Sequence, residues 1–187
     1  MDFTSDNAAG AAPEILDALT RANGGTAASY GADEVTARLT RRFSELFECE
    51  VAVFPVVTGT AANALALAAL TPSHGAVMCH ELAHVHVDEC GAPEMLSVGA
   101  KLVPVGGAAA KIDPRALASA LASLPAGVVH HVQPSALTIT QSTEMGSVYS
   151  VPEIEALVDV ARGRGLHVHM DGARIANALT ALDVPPA

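Results

Sequence analysis

Tryptophan is absent from this 187-residue sequence, and aromatic residues make up only 3% of it. Half of the residues are nevertheless apolar, so the chain has ample material for a core. A core of small aliphatic side chains is typical of helices packed closely on a buried parallel sheet. The length corresponds to one domain, or to one domain and part of another.

Basic residues are also scarce, since ten Lys and Arg stand against twenty Asp and Glu, for a net charge of −10. Without a basic cluster or aromatics for base stacking, nucleic acid is not an expected partner.

Cysteine is rare as well. Cys49, Cys79 and Cys90 are odd in number and form no CxxC pair, which favours a reducing, cytoplasmic location. The acidic N-terminus does not resemble a signal peptide.

Charge is missing altogether from residues 51–77, apart from His74 when protonated. The run is long enough to span a membrane, but Pro55, Asn63 and Pro72 argue against that interpretation. A buried strand over Val51–Val57, followed by a buried helix over Thr60–Leu70, accounts for it better. We therefore expect no membrane association.

Strand-like and helical patterns alternate along the chain, with Pro114 and Pro152 at predicted helix starts. This alternation predicts a three-layer α/β/α fold with a mostly parallel central sheet. The further predicted strands are Ala76–Cys79, Leu102–Val105, Val128–His131, Leu137–Thr140 and Leu166–Met170. The further predicted helices cover Pro13–Ala22, residues 35–47, Glu89–Ser97, a segment capped by Asp113, residues 150–164 and Ile175–Leu182.

The segment Thr58 to Asn63 places small residues at a predicted strand-to-helix turn. Gly59 allows a ligand to approach the backbone, Thr60 offers a hydroxyl, and the first helical turn offers free N–H groups. Together these form a candidate phosphate cradle. The alternative is an ordinary turn capped by Thr58.

The segment Asp171-Gly172-Ala173-Arg174 follows an apolar strand. A carboxylate here can pair with a protonated pyridine nitrogen, and the arginine fork suits a substrate carboxylate. The alternative is an Asp cap with an Arg ion pair. With the phosphate cradle, this segment indicates a site for pyridoxal phosphate, whose chemistry requires a lysine. The sequence contains only Lys101 and Lys111.

Histidines concentrate between Cys79 and Cys90 and recur at His130 and His131. A zinc site is conceivable, but there is no HExxH and the spacing fits no closed finger, so we expect no metal. Other interpretations are an imidazole lying flat on an aromatic cofactor, or a polar loop. The pair at 130–131 is a candidate for proton handling.

In order along the chain, these segments resemble the low-specificity L-threonine aldolase family and its phenylserine aldolase branch, within the fold type I pyridoxal phosphate enzymes. The resemblance runs nearly end to end. The matching stretches are Ser5-Asp6-Asn7, Tyr30 to Glu34, Thr58 to Asn63, His84 to Glu94, Gln141 to Gly146 and His169 to Asn177.

The resemblance implies a role for each matching residue. Gly59, Thr60 and the Ala61 amide would hold the cofactor phosphate. His84 would stack on the ring, and Asp171 would pair with its nitrogen. The remaining implied roles are substrate carboxylate binding by Ser5 and Arg174, and deprotonation of the substrate hydroxyl by His131 or His84. The implied reaction cleaves L-threonine or a related L-3-hydroxy-α-amino acid to glycine and an aldehyde, in a homodimer or homotetramer.

The sequence also departs from the family pattern. The resemblance puts the Schiff-base lysine a few tens of residues beyond Asp171, whereas the sequence ends 16 residues after it. Ser135 stands where the family has a basic residue. We therefore expect residues 1–187 to contain the N-terminal segment and most of the large domain, without the C-terminal domain. The alternatives are a truncated, non-catalytic polypeptide, a metal-binding domain built on His80, His84 and His86, and a related lyase that cleaves another bond.

Overall fold

A computed structural model describes residues 8–187. They form two compact units, one reaching Val53 and the other running from Phe54 to Pro186. Ser5, predicted to bind a substrate carboxylate, lies outside the described residues.

The first unit contains two helices, α1 (Pro13–Ala22) and α2 (Glu34–Leu46), as predicted. Helix α2 begins where the Asp33 side chain accepts hydrogen bonds from the amide (2.9 Å) and the hydroxyl (2.8 Å) of Thr36. This cap satisfies an amide that has no partner within the helix.

The second unit is built on a sheet of four parallel strands in the order β2-β1-β3-β4. The strands are β1 (Gly75–His80), β2 (Lys101–Val105), β3 (Gln133–Thr140) and β4 (His167–Asp171). The chain adds β2 on one side of β1 and then β3 on the other. The reversal between β1 and β3 is the switch point at which such sheets bind ligands, beyond the carboxyl ends of the strands.

Six α-helices accompany the sheet. They are α3 (Gly59–Leu70), α4 (His84–Val87), α5 (Ala92–Leu96), α6 (Pro114–Ala122), α7 (Val151–Arg162) and α8 (Ile175–Leu182). None of the helices in residues 8–187 is both long enough and apolar enough to cross a membrane.

Both faces of the sheet are covered, because neighbouring strand residues point to opposite sides. On one face, Met78, Leu137 and Ile139 pack into the core with Leu117 of α6 and Leu157 of α7. The smaller cluster on the other face comprises Leu67 of α3 with Val77, Cys79, Ala83, Val85 and Ala136. The predicted three-layer α/β/α fold is therefore confirmed.

Two predicted helix starts are confirmed in atomic detail. Asp113 accepts hydrogen bonds from the amides of Arg115 (2.8 Å) and Ala116 (2.9 Å) at the start of α6. Glu153 in the first turn of α7 accepts from the amide (2.7 Å) and the hydroxyl (2.9 Å) of Ser150. The single predicted helix over Glu89–Ser97 is shorter, and begins only after Gly91, which has φ +75°.

The predicted buried strand over Val51–Val57 is wrong. The segment forms no strand, and Phe54 and Val57 are 81% and 99% exposed. An apolar run forms a buried strand only where a neighbouring strand satisfies its backbone and another layer covers it. Pro55 also lacks the N–H that a ladder needs.

The predicted strand over Val128–His131 is also wrong, since these residues form turns before β3. The Gln133 side chain accepts from the Gly127 amide (3.0 Å) and donates to the carbonyls of Val128 (3.3 Å) and His131 (3.0 Å). One side-chain amide thus binds backbone groups that a strand would have paired.

Tyr149 offers a test of the core. It is 1% exposed, and its hydroxyl accepts from the Ile112 amide at 2.6 Å. Tyr149→Phe leaves that amide buried without a partner, so we expect the free energy of unfolding by urea to fall by about 1–3 kcal/mol. Tyr30→Phe is the matched control, because Tyr30 is fully exposed. Equal effects of the two variants would contradict this packing.

Candidate active site

Three chain segments meet at the carboxyl edge of the sheet. Helix α4 follows β1, a loop from Gln141 follows β3, and Asp171 ends β4. The segments are joined directly, because the Gln141 amide donates to the Asp171 carbonyl at 2.9 Å. The Asp171 motif and His84 therefore lie at the edge where the topology favours binding.

Asp171 is held in place by two donors. Its Oδ1 accepts from the Ala173 amide at 3.1 Å, and its Oδ2 accepts from Asn63 Nδ2 at 2.9 Å. The first bond closes a turn within the motif. The capping alternative is wrong, because α8 begins at Ile175 with Arg174 at its N-cap and no side-chain cap. The second comes from α3, 108 residues earlier in the chain, and orients the carboxylate at the end of β4.

Asn63 links Asp171 to a second carboxylate. Its Nδ2 also donates to Glu89 Oε1 at 2.8 Å, and the same oxygen lies 2.9 Å from His84 Nδ1. The Glu89 side chain is 0% exposed, whereas that of His84 is 41% exposed. We call this row, His84-Glu89-Asn63-Asp171, the polar row.

Glu144 fixes the backbone at the start of α4. Its Oε1 accepts from the His84 amide at 2.8 Å and from the Thr140 hydroxyl at 3.0 Å. The carboxylate therefore ties the end of β3 to the residue that carries the imidazole. The other carboxylate oxygens of Glu89 and Glu144 are buried and have no hydrogen-bond partner within residues 8–187.

The first turn of α3 retains free donors. Thr58 caps the helix by accepting from the Ala61 amide at 3.1 Å, so this amide, which the resemblance assigned to the cofactor phosphate, already has a partner. No acceptor within residues 8–187 bonds the amides of Gly59 and Thr60, and a side chain built on Gly59 would meet no atom within 4 Å. These two amides therefore lie beside open space at the positive end of the helix.

Arg174 lies three residues after Asp171, where α8 begins. Its Nη1 is 3.5 Å from the Ser142 carbonyl, which follows β3. The guanidinium is thus on the same edge of the sheet as Asp171.

His131 lies at the opposite edge. It precedes β3, next to Gln133, whose amide donates to the His74 carbonyl just before β1. The eight residues of β3 separate His131 from the Asp171 edge, which is about 25 Å at a strand rise of about 3.3 Å. The structure therefore does not bring His131 together with Asp171, and its predicted role at the substrate hydroxyl stays a prediction.

The histidines after β1 are not arranged as metal ligands. Within residues 8–187, no group of three or more His, Cys, Asp or Glu side chains is placed to hold a metal ion. His80 is bound to backbone, since its Nε2 lies 3.2 Å from the Gly107 carbonyl and its Nδ1 accepts from the Leu82 amide. Burial, with the nearby charges of Glu94 and Glu144, raises the pKa of the Cys79 thiol to about 12.

Neither lysine is part of the polar row. Lys101 begins β2 at the amino edge of the sheet, opposite Ala76. Lys111 Nζ is 2.6 Å from Glu153 Oε1 and 3.4 Å from the Val148 carbonyl. The Lys111 ammonium group is therefore engaged elsewhere, and Lys101 lies at the edge of the sheet opposite to Asp171.

Sequence reasoning missed Glu89 and Glu144 as site residues, and noted Asn63 only as the end of a motif. Their partners lie 26, 60 and 108 residues away. The spacing of neighbouring residues in the sequence does not predict contacts over such distances along the chain. The one available signal was a glutamate five residues after His84 in a segment rich in possible ligands.

His169 on β4 allows a test of the electrostatics next to the candidate site. It precedes Asp171 by two residues on the same face of β4, and its Nδ1 lies 2.8 Å from the Thr138 hydroxyl. Burial lowers the pKa of His169, and the charge of Asp171 offsets part of that effect. The folded protein therefore resists protonation of this ring.

As the pH falls below the ordinary histidine pKa of 6.5, the unfolded chain takes up a proton at His169 that the folded chain does not. The free energy of unfolding should therefore decrease with falling pH. We expect His169→Gln to flatten this dependence between about pH 7.5 and 5.5. His167→Gln on the same strand, where the side chain is exposed, should leave it unchanged, and equal slopes in all three proteins would contradict the assignment.

Comparison with known proteins identifies the family. The sequence model of the beta-eliminating lyase family matches residues 2–187. The chain is 44% identical over 185 residues to the low specificity L-threonine aldolase of Pseudomonas aeruginosa, covering 99% of this chain and 53% of that protein. The corresponding yeast enzyme, from Saccharomyces cerevisiae, is 30% identical, with 98% of this chain and 47% of that protein covered.

The fold agrees with these relatives. The threonine aldolase of Leishmania major superposes with a TM-score of 0.88 at 32% identity, covering 95% of this chain and 51% of that one. The chain thus spans about half the length of the relatives it matches. Family and fold imply pyridoxal phosphate as the cofactor. The chain belongs to the beta-eliminating lyase family and has the fold of the type I pyridoxal phosphate enzymes.

Proposed function

We propose that this chain forms the cofactor-binding part of a lyase that cleaves L-threonine or a related L-3-hydroxy-α-amino acid to glycine and an aldehyde. The observation that carries the proposal is the polar row. It joins an exposed imidazole to the carboxylate at the end of β4, beside the open first turn of α3.

The described residues fit pyridoxal phosphate. The free amides of Gly59 and Thr60, beside the space at Gly59, suit a phosphate. The Asp171 carboxylate would hold the protonated ring nitrogen, and half-exposed His84 would lie against the ring face. When bound, the cofactor withdraws electrons from the α-carbon of the substrate.

The chain's own residues prepare the bond that breaks. Arg174, with Ser5 as predicted from the resemblance, would hold the substrate carboxylate in a planar fork. A base then removes the proton of the substrate hydroxyl. The bond between the α- and β-carbons breaks, its electron pair stays with the α-carbon, and a proton added there yields glycine. Of the two predicted bases, His84 is favoured because it lies at the cofactor edge, whereas His131 lies at the other.

Asp171→Asn tests the ring partner. The variant keeps the size of the side chain but removes the charge that stabilises a protonated ring nitrogen. We expect kcat for glycine formation from L-threonine to fall by about 10²- to 10³-fold, the loss typical of one preorganised electrostatic group. The measurement uses the protein that carries this chain, loaded with pyridoxal phosphate.

Asp183→Asn is the matched control, since Asp183 is exposed and has φ 54°, a conformation that asparagine tolerates. Near-normal turnover of Asp171→Asn would refute its role. Product analysis separates the related lyase, since cleavage of another bond would release ammonia and a keto acid in place of glycine and acetaldehyde.

A second candidate is that the 187-residue polypeptide by itself binds cofactor without catalysis. The surroundings of Lys101 and Lys111 favour it, since neither lies in the polar row. We expect borohydride reduction with pyridoxal phosphate to leave this polypeptide at its mass of 19.0 kDa. A longer form with the lysine that the resemblance predicts would gain one reduced pyridoxyl group.

Lys101→Arg and Lys111→Arg serve as controls for surface labelling in that experiment. A stoichiometric adduct that either variant abolishes would place the anchoring lysine within these residues, against our expectation.

We also propose a cytoplasmic homodimer or homotetramer, which the resemblance supports. Exposed apolar residues of α1, namely Ile15, Leu16 and Leu19, are consistent with a subunit contact.

A further inference from the structure

We propose that Glu89 is a positioning residue that holds His84 as the tautomer protonated at Nδ1, so that Nε2 is the proton acceptor of the site. The inference rests on the proposed function for the reaction in which that proton moves. The tautomer of His84 itself is inferred from hydrogen bonding alone.

The contact between Glu89 and His84 decides which nitrogen carries hydrogen. Glu89 Oε1 lies 2.9 Å from His84 Nδ1. The same Oε1 accepts from Asn63 Nδ2 at 2.8 Å, so it acts as the acceptor of this cluster and Nδ1 is the donor. In a neutral imidazole the other nitrogen is then unprotonated, and the partner of one ring nitrogen sets the role of the other.

Burial separates the two ends of this pair. Glu89 is wholly enclosed, whereas 41% of the His84 side chain is exposed. No atom of residues 8–187 bonds Nε2. The buried carboxylate therefore holds the imidazole through Nδ1, and Nε2 remains accessible to a substrate.

Asn63 strengthens this arrangement from the other side. One Nδ2 group donates both to Glu89 Oε1 (2.8 Å) and to Asp171 Oδ2 (2.9 Å). It has no acceptor capacity, so it favours carboxylate oxygens with free lone pairs at both positions. The residue that orients the base and the residue proposed for the ring nitrogen thus share one donor.

The substrate hydroxyl proton moves to His84 Nε2, while Nδ1 keeps its hydrogen bond to Glu89 and the imidazolium is stabilised by that carboxylate. As the carbon–carbon bond breaks, the hydroxyl oxygen becomes the aldehyde oxygen. The proton delivered to the α-carbon balances the one removed.

The test is nitrogen NMR on the protein labelled with ¹⁵N-histidine, at about pH 8.5, where ordinary histidines are neutral. His84→Gln assigns the signals. We expect Nδ1 to be protonated and Nε2 unprotonated in the unaltered protein. Glu89→Gln, whose carbonyl can still accept from Nδ1, should keep this pattern. Glu89→Ala should lose it, and the Nε2–H form should appear.

Glu94→Gln is the matched control, because Glu94 is a nearby glutamate whose buried Oε2 has no hydrogen-bond partner, and which has no bond to His84, within residues 8–187. It should change neither tautomer nor turnover. An Nε2–H tautomer in the unaltered protein would overturn the proposal, since Glu89 would then donate to Nδ1. An unchanged tautomer in Glu89→Ala would also overturn the proposal. Should that variant not fold, the unaltered protein decides alone.

Kinetics separate this inference from the proposed reaction. A general base contributes about 10²- to 10⁴-fold, so loss of its orientation in Glu89→Ala should lower kcat by about 10- to 100-fold, with a smaller loss in Glu89→Gln. The expected tautomer without glycine formation would refute the proposed function and support only the assignment of the His84 tautomer by Glu89. Glycine formation with the opposite tautomer would do the reverse.

Discussion

The Asn63 carboxamide is the interaction on which the site depends. Through one nitrogen it bonds Glu89 and Asp171, which are separated by 82 residues of chain and would otherwise place two carboxylates side by side. Two carboxylates that lie side by side repel each other and destabilise the folded state unless a shared donor lies between them. Because Asn63 belongs to α3, the bridge also fixes the helix whose first turn is the candidate phosphate site.

The fold provides the frame for this bridge. Parallel pairing brings the ends of β1, β3 and β4 to one edge, and the reversal of strand order opens a crevice there. Cores on both faces of the sheet hold α3 on one side and α6 and α7 on the other. The hydrogen bonds of Asn63, Glu89 and Glu144 at this edge run between different elements, so a small shift of one helix would disturb several of them.

Local signals in the sequence were enough to predict most of the fold. Pro114 after Asp113, and Glu153 after Ser150, mark helix starts because caps are made by residues close in sequence. The failures were segments whose structure depends on distant partners. Val51–Val57 pairs with no strand within residues 8–187, and residues 128–131 are held by Gln133. The same limit hid Glu89, whereas Asp171 was visible as a motif at a strand end and Gly59 as one at a helix start.

The measurement that tests this account most directly is a crystal structure of the protein with pyridoxal phosphate bound. The account predicts the phosphate at the amides of Gly59 and Thr60, the ring nitrogen against Asp171, and the ring face against His84, with the Asn63 bridge intact. A phosphate bound away from the first turn of α3, or a ring nitrogen that does not contact Asp171, would contradict it.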